Sequence, residues 1–451
     1  MDCKIKISVI IYVKNGFPYI TQCLKSIMNQ TLREIEIIVV DAGSSDGTYE
    51  YLLEKSLYDN RIRVITSIPS VGKQFNKALS VASGDYIAIC EADDYVRKDA
   101  YENLYRIAEN TGCDVIRADY NQFFGESRHE IKFRTHACSN QLLYNQVIKL
   151  TDNFFLQEGI NGFWSGLYRK KFLLDNDIKM SETPGASYQD VGFSFQCQCL
   201  AKSVFFVDDV YYQYRLDNPY ASMNVNNRVG RMIKEFESLE YNLILKNIWN
   251  KFKRDFFSWE IEALKKAYIS AEGCSKESVL DEIQGNISAQ LERNGIKDSD
   301  YKLISTIENF IVDQDTNINR LLNYFDNIRD DERNIIIFGA GFLGQVTAAV
   351  LCEYGKNFEM ADNCVKLQGL EINGHVIQSP QMVVDKNNTA IYLVANVNHA
   401  YEIQSQLIEL GISIKNIIIC NNDELLLRKI LISERKLNDE YGRKNTRGNY
   451  E

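Results

Sequence analysis

The chain has 451 residues, 61 aspartates and glutamates against 51 lysines and arginines, a formal charge of −10 and a hydrophobic fraction of 45%. That length exceeds one ordinary core and predicts two or three domains of a globular protein. An acidic chain gains nothing from displacing the counterions of a polyphosphate, which excludes a general nucleic-acid binder.

In chain order, Ile5 to Val13 is an apolar, β-branched run that reads as a strand. Pro18, after Asn15-Gly16, suits a first helical position, and Ile20, Cys23, Leu24, Ile27 and Met28 repeat at helical spacing. Ile35 to Val40 is a second buried strand, followed by a helix that Asp46 can cap. Arg61 to Ile65 reads as a strand, Val71 to Ala82 as a helix and Tyr86 to Cys90 as a fourth strand. A helix near Asp99 to Asn110 and a strand at Asp114 to Ala118 follow. This alternation predicts a largely parallel sheet with right-handed crossovers. From Asn161 to about Val225 the chain is aromatic and irregular, with short strands at Ser203 to Val207 and Val210 to Tyr214. Arg228 to Ile328 is helical in pattern, interrupted near Glu272-Gly273 and Asn294-Gly295. A second α/β unit runs from Asn334 to about Cys420, and Ser433 to Glu451 is a charged tail. The expected division is 1–225, an α/β domain; 226–331, helical; 332–425, a small α/β domain; and 426–451, the tail.

Eleven cysteines are scattered, several in apolar runs (Cys23, Cys90, Cys352, Cys420). With no Cys-x-x-Cys pair and no histidines at ligand spacing, they read as reduced, buried thiols and not as a zinc site. The uncharged stretch Ile335 to Cys352 is long enough to suggest a membrane span, but Gly339, Gly341 and Gly344 make it a strand, turn and helix. The N-terminus enters a strand pattern without a basic-then-apolar leader. The expectation is a cytoplasmic protein, at most peripherally associated with the inner face of a membrane.

In an open parallel sheet, ligands bind beyond the carboxyl ends of the strands. Polar residues gather at those ends here: Lys14-Asn15 after the first strand, Asp41 to Thr48 after the second, and Glu91-Ala92-Asp93-Asp94 after the fourth. Gly43-Ser44-Ser45-Asp46-Gly47 offers backbone N–H groups and hydroxyls where a ribose or phosphate can dock. Clustered carboxylates repel one another unless a cation sits among them, and oxygen-only ligands point to Mn2+ or Mg2+.

Ser8 to Asn15, Asp41 to Thr48, Gly72 to Ala78 with Ala82 to Ile87, and Glu91-Ala92-Asp93 stand in the order and spacing of family 2 inverting glycosyltransferases of the GT-A fold, which residues 5 to about 225 resemble. Phe163 to Lys170 resembles the family's acceptor-side segment, Tyr188 to Phe193 the one carrying its catalytic base, and Tyr214 to Pro219 an element closing over the diphosphate. The resemblance implies a GT-A nucleotide-diphospho-sugar domain that transfers a hexose or N-acetylhexosamine from a UDP-sugar to an acceptor hydroxyl. By the same resemblance, Val13, Asn15, Asp41, Ser44, Asp46, Lys73, Asn76, Glu91, Ala92 and Asp93 would contact the donor. Asp93 would hold the metal, Asp190 would be the general base, and Trp164 would contact the acceptor, a glycan, a lipid-linked sugar or a protein such as flagellin. Glu91 stands where the family has Asp, and Tyr12 where it has Pro.

Ile335 to Phe338 followed by Gly339-Ala340-Gly341-Phe342-Leu343-Gly344 is a strand and a G-x-G-x-x-G turn, with Asp362 near the distance the dinucleotide fingerprint requires. Residues 334 to 420 are similar to small Rossmann-like domains appended to bacterial sugar-pathway enzymes. No Tyr-x-x-x-Lys pair follows, so a structural or regulatory role outranks hydride transfer. Two other functions stay open: an NAD(P)-dependent sugar-nucleotide oxidoreductase centred on this unit, and a non-catalytic scaffold for glycan assembly. The helical region carries enough apolar residues for a homo-oligomer interface.

Overall fold

The computed structural model describes residues 4–125, 131–138, 140–149, 162–186, 188–218, 228–269, 276–297, 320–372, 374–387, 389–396 and 399–420, together with 302, 304, 427 and 430. Asn161, Pro219 to Val225, Glu272-Gly273 and the tail from Ser433 lie outside the described residues. The chain divides into two compact units, Met1–Leu264 and Lys265–Glu451.

In the first unit the continuous apolar runs become strands β1 (Ile7–Val13) and β2 (Ile35–Asp41), then β3 (Ile62–Thr66) and β4 (Tyr86–Ile89). Every residue of β1 and β4 is buried. This is what a strand covered on both faces by crossover helices demands, and it explains the absence of alternation. Those helices are α1 (Ile20–Met28), α2 (Thr48–Tyr58) and α3 (Val71–Val81). The four strands pair in the order β3-β2-β1-β4, all parallel. The chain leaves β1 toward β2 and β3 on one side and returns to β4 on the other. That reversal opens a crevice at the carboxyl ends of β1 and β4, where open α/β sheets bind ligands.

Beyond β4 the sheet becomes mixed. After α4 (Ala100–Thr111) come β6 (Val115–Phe124) and β9 (Gly166–Arg169), and β9 lies antiparallel between β4 and β6. The two short strands expected at 203–207 and 210–214 are one, β10 (Ser203–Arg215), with register shifts between Val207 and Tyr212. A bulge at Asp208-Asp209 breaks the apolar pattern without ending the strand. Its far end pairs with β5 (Tyr95–Val96), which brings Tyr212 to Arg215 beside the acidic stretch after β4. Strands β7 (Ile131–Thr135) and β8 (Val147–Lys149) complete the sheet. Two further helices, α5 (Lys170–Asp175) and α6 (Gln189–Leu200), lead to α7 (Arg228–Leu245) and α8 (Trp249–Ile269). Trp249 and Trp259 pack as expected, against Phe256 at 5.1 Å and Phe195 at 5.0 Å between ring centroids.

Pro18 does not open α1. The helix begins at Ile20 and Pro18 sits in the preceding turn after a cis Phe17-Pro18 bond. The N-cap of α2 is Gly47 in the left-handed region (φ 91°), and Asp46 caps from one residue further out, its Oδ1 accepting the Thr48 N–H at 3.1 Å.

One glycine, Gly72, sets how closely the 180–186 loop approaches α3. A Cβ on Gly72 would lie 1.7 Å from the carbonyl oxygen of Ser181, a backbone atom that cannot swing aside. Gly72→Ala must therefore push the 180–186 loop off α3. We expect it to cost about 1–3 kcal/mol, as overpacking does, and to lower turnover as well as the thermal midpoint. A variant with the wild-type midpoint would show that the loop yields freely.

The second unit opens with α9 (Lys276–Arg293). Its sheet contains β11 (Ile335–Phe338), β12 (Phe358–Ala361), β13 (Glu371–Ile372), β14 (His375–Gln378), β15 (Ile391–Val394) and β16 (Ile417–Ile419). The order is β13-β14-β12-β11-β15-β16, all parallel except β13. With α10 (Phe342–Glu353), α11 (Pro380–Lys386) and α12 (Ala400–Glu409), this is a small parallel α/β unit. Ile335 to Cys352 is thus a strand, turn and helix, and no described helix is long and apolar enough to cross a membrane. The expectation of buried thiols holds for Cys23, Cys90 and Cys420. Cys352, in the last turn of α10, and Cys364, in the turn after β12, are exposed.

Candidate active site

Val13 pairs with Asp41 across β1 and β2, so the loops after both strands leave the sheet side by side. Asp41 is buried, and its Oδ1 accepts the N–H groups of Gly43 at 2.9 Å and Ser44 at 3.0 Å while its Oδ2 accepts the Ser44 hydroxyl. The same hydroxyl accepts the Asn15 N–H at 2.8 Å, and Asn15 Oδ1 accepts the Ser45 N–H at 2.8 Å. Asp46 Oδ2 takes the Phe17 N–H at 3.0 Å. Asn15, Asp41 and Ser44 thus come together in one hydrogen-bonded chain, Asp46 ties the same two loops through Phe17, and the two loops form a single rim. Behind the rim, Gln74 of α3 donates to the carbonyls of Val13 at 3.1 Å and Val40 at 2.7 Å. This buried amide satisfies carbonyls at the ends of β1 and β2, an obligation the sequence does not advertise.

Lys73, one residue away, is partly exposed in the first turn of α3, with its N–H on the Ser70 hydroxyl at 3.2 Å. Asn76 faces elsewhere. Its amide donates to the Met180 carbonyl at 2.9 Å and accepts the Met180 N–H at 3.1 Å, which staples the 180–186 loop to α3.

On the other side of β1, Glu91, Asp93 and Asp94 each offer a carboxylate oxygen, and the three oxygens lie within 4.8 Å of one another. Ala92 lies between them, packed against the main core. Asp94 is fully buried and already engaged, accepting the Tyr212 hydroxyl at 2.7 Å and the Arg215 N–H at 2.7 Å. Glu91 and Asp93 are partly open, which leaves them as the pair able to take a ligand. Glu91 accepts the Tyr12 hydroxyl at 3.1 Å, and Asp93 accepts the Asn218 amide at 2.7 Å. Arg215 makes no ion pair with these carboxylates, although its charge acts on Asp93 behind the larger effects of burial and Asn218. Its guanidinium donates to the backbone oxygen of Asp93, to Gln22 and to Asp217.

The cluster is therefore short of positive charge, and its protons register this. Burial, then the nearby charges of Asp93 and Asp190, push the Glu91 carboxyl up to about 8. Burial raises Asp93, against the pull of Asn218, and raises Asp94 well above its usual range. A carboxyl that holds its proton near neutrality, as Glu91 does beside two further raised acids, fits a divalent cation.

Asp190 occupies the first turn of α6, after Tyr188 in the left-handed region (φ 67°). That conformation costs a residue with a Cβ on the order of 1 kcal/mol or more, so the turn is held by its surroundings. Burial raises the Asp190 carboxyl, offset in part by the N–H groups of Asp190 and Val191. Its charge is also felt by Tyr12, Glu91, Tyr168 and Glu235, behind the larger effect of burial on each. Asp190 thus lies near enough to the acidic cluster for its charge to act on Glu91.

Trp164 departs from expectation. It is 7% exposed, lying flat on Tyr212 and Tyr214 at 4.2 and 4.9 Å and edge-on to Tyr120 at 4.6 Å. Little of the indole is left to stack on a sugar, and it braces the strand that carries Tyr212.

Residues 8–174 match the model of the family Glycosyl transferase family 2. The match spans less than half of the chain. The α/β fold expected for it, followed by a small α/β unit, is the one observed. Along the sequence, the chain is 28% identical over 221 residues to glycosyltransferase GlyG of Streptococcus pneumoniae, covering 46% of this chain and 70% of that protein. It is 25% identical over 305 residues to the cholesterol galactosyltransferase of Borreliella burgdorferi, covering 62% of this chain and 84% of that one. Among solved structures, S. aureus TarS 1-349 in complex with UDP-GlcNAc aligns with a TM-score of 0.42 at 19% identity, over 64% of this chain and 92% of that one. The family match ends before Asp190, so that residue's role depends on geometry and on the sequence resemblance. In the second unit, the Asp362 carboxylate accepts the Ala340 N–H at 2.7 Å and the Cys364 N–H at 2.7 Å, and Gly344 packs its Cα directly over the Gly339 carbonyl.

Proposed function

We propose that this chain is an inverting glycosyltransferase that moves a hexose or N-acetylhexosamine from a UDP-sugar to an acceptor hydroxyl. The observation that supports the proposal is the acidic group of Glu91, Asp93 and Asp94 after β4, with the charge of Asp190 acting on Glu91. Asp93, with Glu91 beside it, would hold Mn2+ or Mg2+, and the ion would supply positive charge against the departing diphosphate. The rim of Asn15, Asp41, Ser44 and Asp46 would hold the nucleoside, with Val13, Lys73 and Ala92 alongside. Asn76 supports the loop beneath. Asp190 would take the proton from the acceptor oxygen as it attacks the opposite face of the sugar. Burial raises its proton affinity toward what a base needs at neutral pH.

The acceptor fits a glycan, a lipid-linked sugar or a protein hydroxyl, reached from the cytoplasm with at most peripheral membrane contact. We read residues 1–225 as the transferase domain, 226–331 as a helical region able to support a homo-oligomer, and 332–425 as a Rossmann-like domain. In this last domain Asp362 binds back onto the glycine turn and occupies the Ala340 N–H. Gly344 serves close packing, and Gly339, with φ 116°, shapes the turn. Gly341 opens α10. This favours a structural or regulatory part over hydride transfer. The test is UDP release from a panel of UDP-sugars with Mn2+ or Mg2+, before and after chelation and in Asp93→Ala. Turnover that survives both chelation and the substitution would overturn the assignment.

A further inference from the structure

Glu235 is a carboxylate outside the crevice that the reaction does not use directly. It lies on α7, beyond the residues matched by the family, and is 2% exposed. A buried acid must have its oxygens satisfied, and here two hydroxyls do so: Ser181 donates to one oxygen and Thr183 to the other. Neither of these partners carries a charge, so the acid is held by neutral groups of the loop.

That loop leads to Asp190. The Thr183 hydroxyl also accepts the Gln189 side-chain amide at 2.9 Å, and the same amide reaches the carbonyls of Thr183 at 3.2 Å and Gly185 at 3.1 Å. Gln189 is the residue before Asp190 and the first of α6. On its other side the loop is tied to α3: Ser70 Oγ donates to the Thr183 carbonyl at 2.7 Å, and the Val71 N–H donates to Gly185 at 3.0 Å. The 180–186 loop is therefore pinned between α3 and α7, and Glu235 makes the tie to α7 through two hydroxyls at once. The strained Tyr188 turn just beyond it needs such support to persist.

We propose that Glu235 is a positioning residue for the general base, holding Asp190 at the crevice through Ser181, Thr183 and Gln189. This inference rests on reading Asp190 as the base. It also gives α7 a part in the chemistry, since a helix beyond the family-matched residues sets the aim of a side chain in the active site. Positioning of this kind is steep, because a misplacement of about 1 Å can cost about a hundredfold in rate.

The experiment compares Glu235→Ala, Glu235→Gln and Thr183→Val with wild type in steady-state UDP release. Glu235→Ala should lower kcat at least tenfold and leave the KM for the donor within about twofold, because the donor rim is built from other elements. Glu235→Gln, similar in shape and still able to bond both hydroxyls, should restore most of kcat. Thr183→Val, which cuts both the tie to Glu235 and the link to Gln189 while Ser181 still donates to Glu235, should lower kcat with the same unchanged KM. If Glu235→Ala fails to fold, Thr183→Val still decides the matter. Wild-type kcat in Thr183→Val, or an equal rise in KM wherever kcat falls, would overturn the inference. Asp190→Asn run in parallel separates the two claims: if it keeps full turnover, the base assignment fails first.

Discussion

Asp190→Asn should lower kcat by roughly 10²- to 10⁴-fold, the range of general-base catalysis, while the donor KM barely moves. Asparagine is the discriminating substitution. Asp190 stands in the first turn of α6, where an acidic side chain can simply complement the helix N-terminus. Asparagine satisfies a helix start about as well as aspartate does, so a residue kept for capping would lose little on the change. A base loses everything, because an amide cannot take a proton at neutral pH. Burial of Asp190 also works against an ionised capping role, since it raises the carboxyl and makes the charged form costly. Removing that buried charge should leave the thermal midpoint unchanged or higher. A fall in kcat together with a steady or raised midpoint identifies the base, whereas unchanged kcat would leave Asp190 a helix-start residue.

The strands around the crevice are legible in the sequence because each is an unbroken apolar run closed by polar residues, as in Ile35 to Asp41 or Tyr86 to Asp94. A strand buried on both faces leaves no other pattern, and its carboxyl end must turn polar where the chain meets solvent. For the same reason Asp41, Glu91 and Asp93 can be singled out before any coordinates. What the sequence hides are partners that only the fold brings near. Tyr212 and Asp94 are 118 positions apart, Asn218 and Asp93 125, and Gln74 and Val13 61. No local pattern marks Gln74 as the amide closing two strand ends; only its place between buried neighbours, one before Phe75 on α3, hints at it. Trp164 shows the converse. A tryptophan in an irregular, aromatic stretch suits a sugar platform, yet Tyr212 and Tyr214 come round on β10 to cover it. Tyr12 and Glu91 explain each other: with a longer acid after β4, a tyrosine on β1 supplies the hydroxyl that steadies it.

That pair has the second large consequence, the pH dependence of metal binding. With its carboxyl at about 8, Glu91 is mostly protonated at pH 6, and an arriving cation must displace the proton. If Glu91 is a ligand, the affinity for Mn2+ should rise about fifty-fold between pH 6 and pH 8, because binding is coupled to loss of one proton. Titration calorimetry in two buffers of different ionisation enthalpy should then count about one proton released per Mn2+ near pH 6.5. Glu91→Gln should weaken binding and flatten this slope. Without metal the sign reverses: the folded chain keeps a proton that the unfolded chain gives up above the ordinary value of 4.5, so stability is fullest below that pH and declines until pH 8. In Glu91→Gln that part of the decline disappears. An affinity that stays level from pH 6 to 8 would remove Glu91 from the metal site and leave Asp93 as the acid that binds the ion.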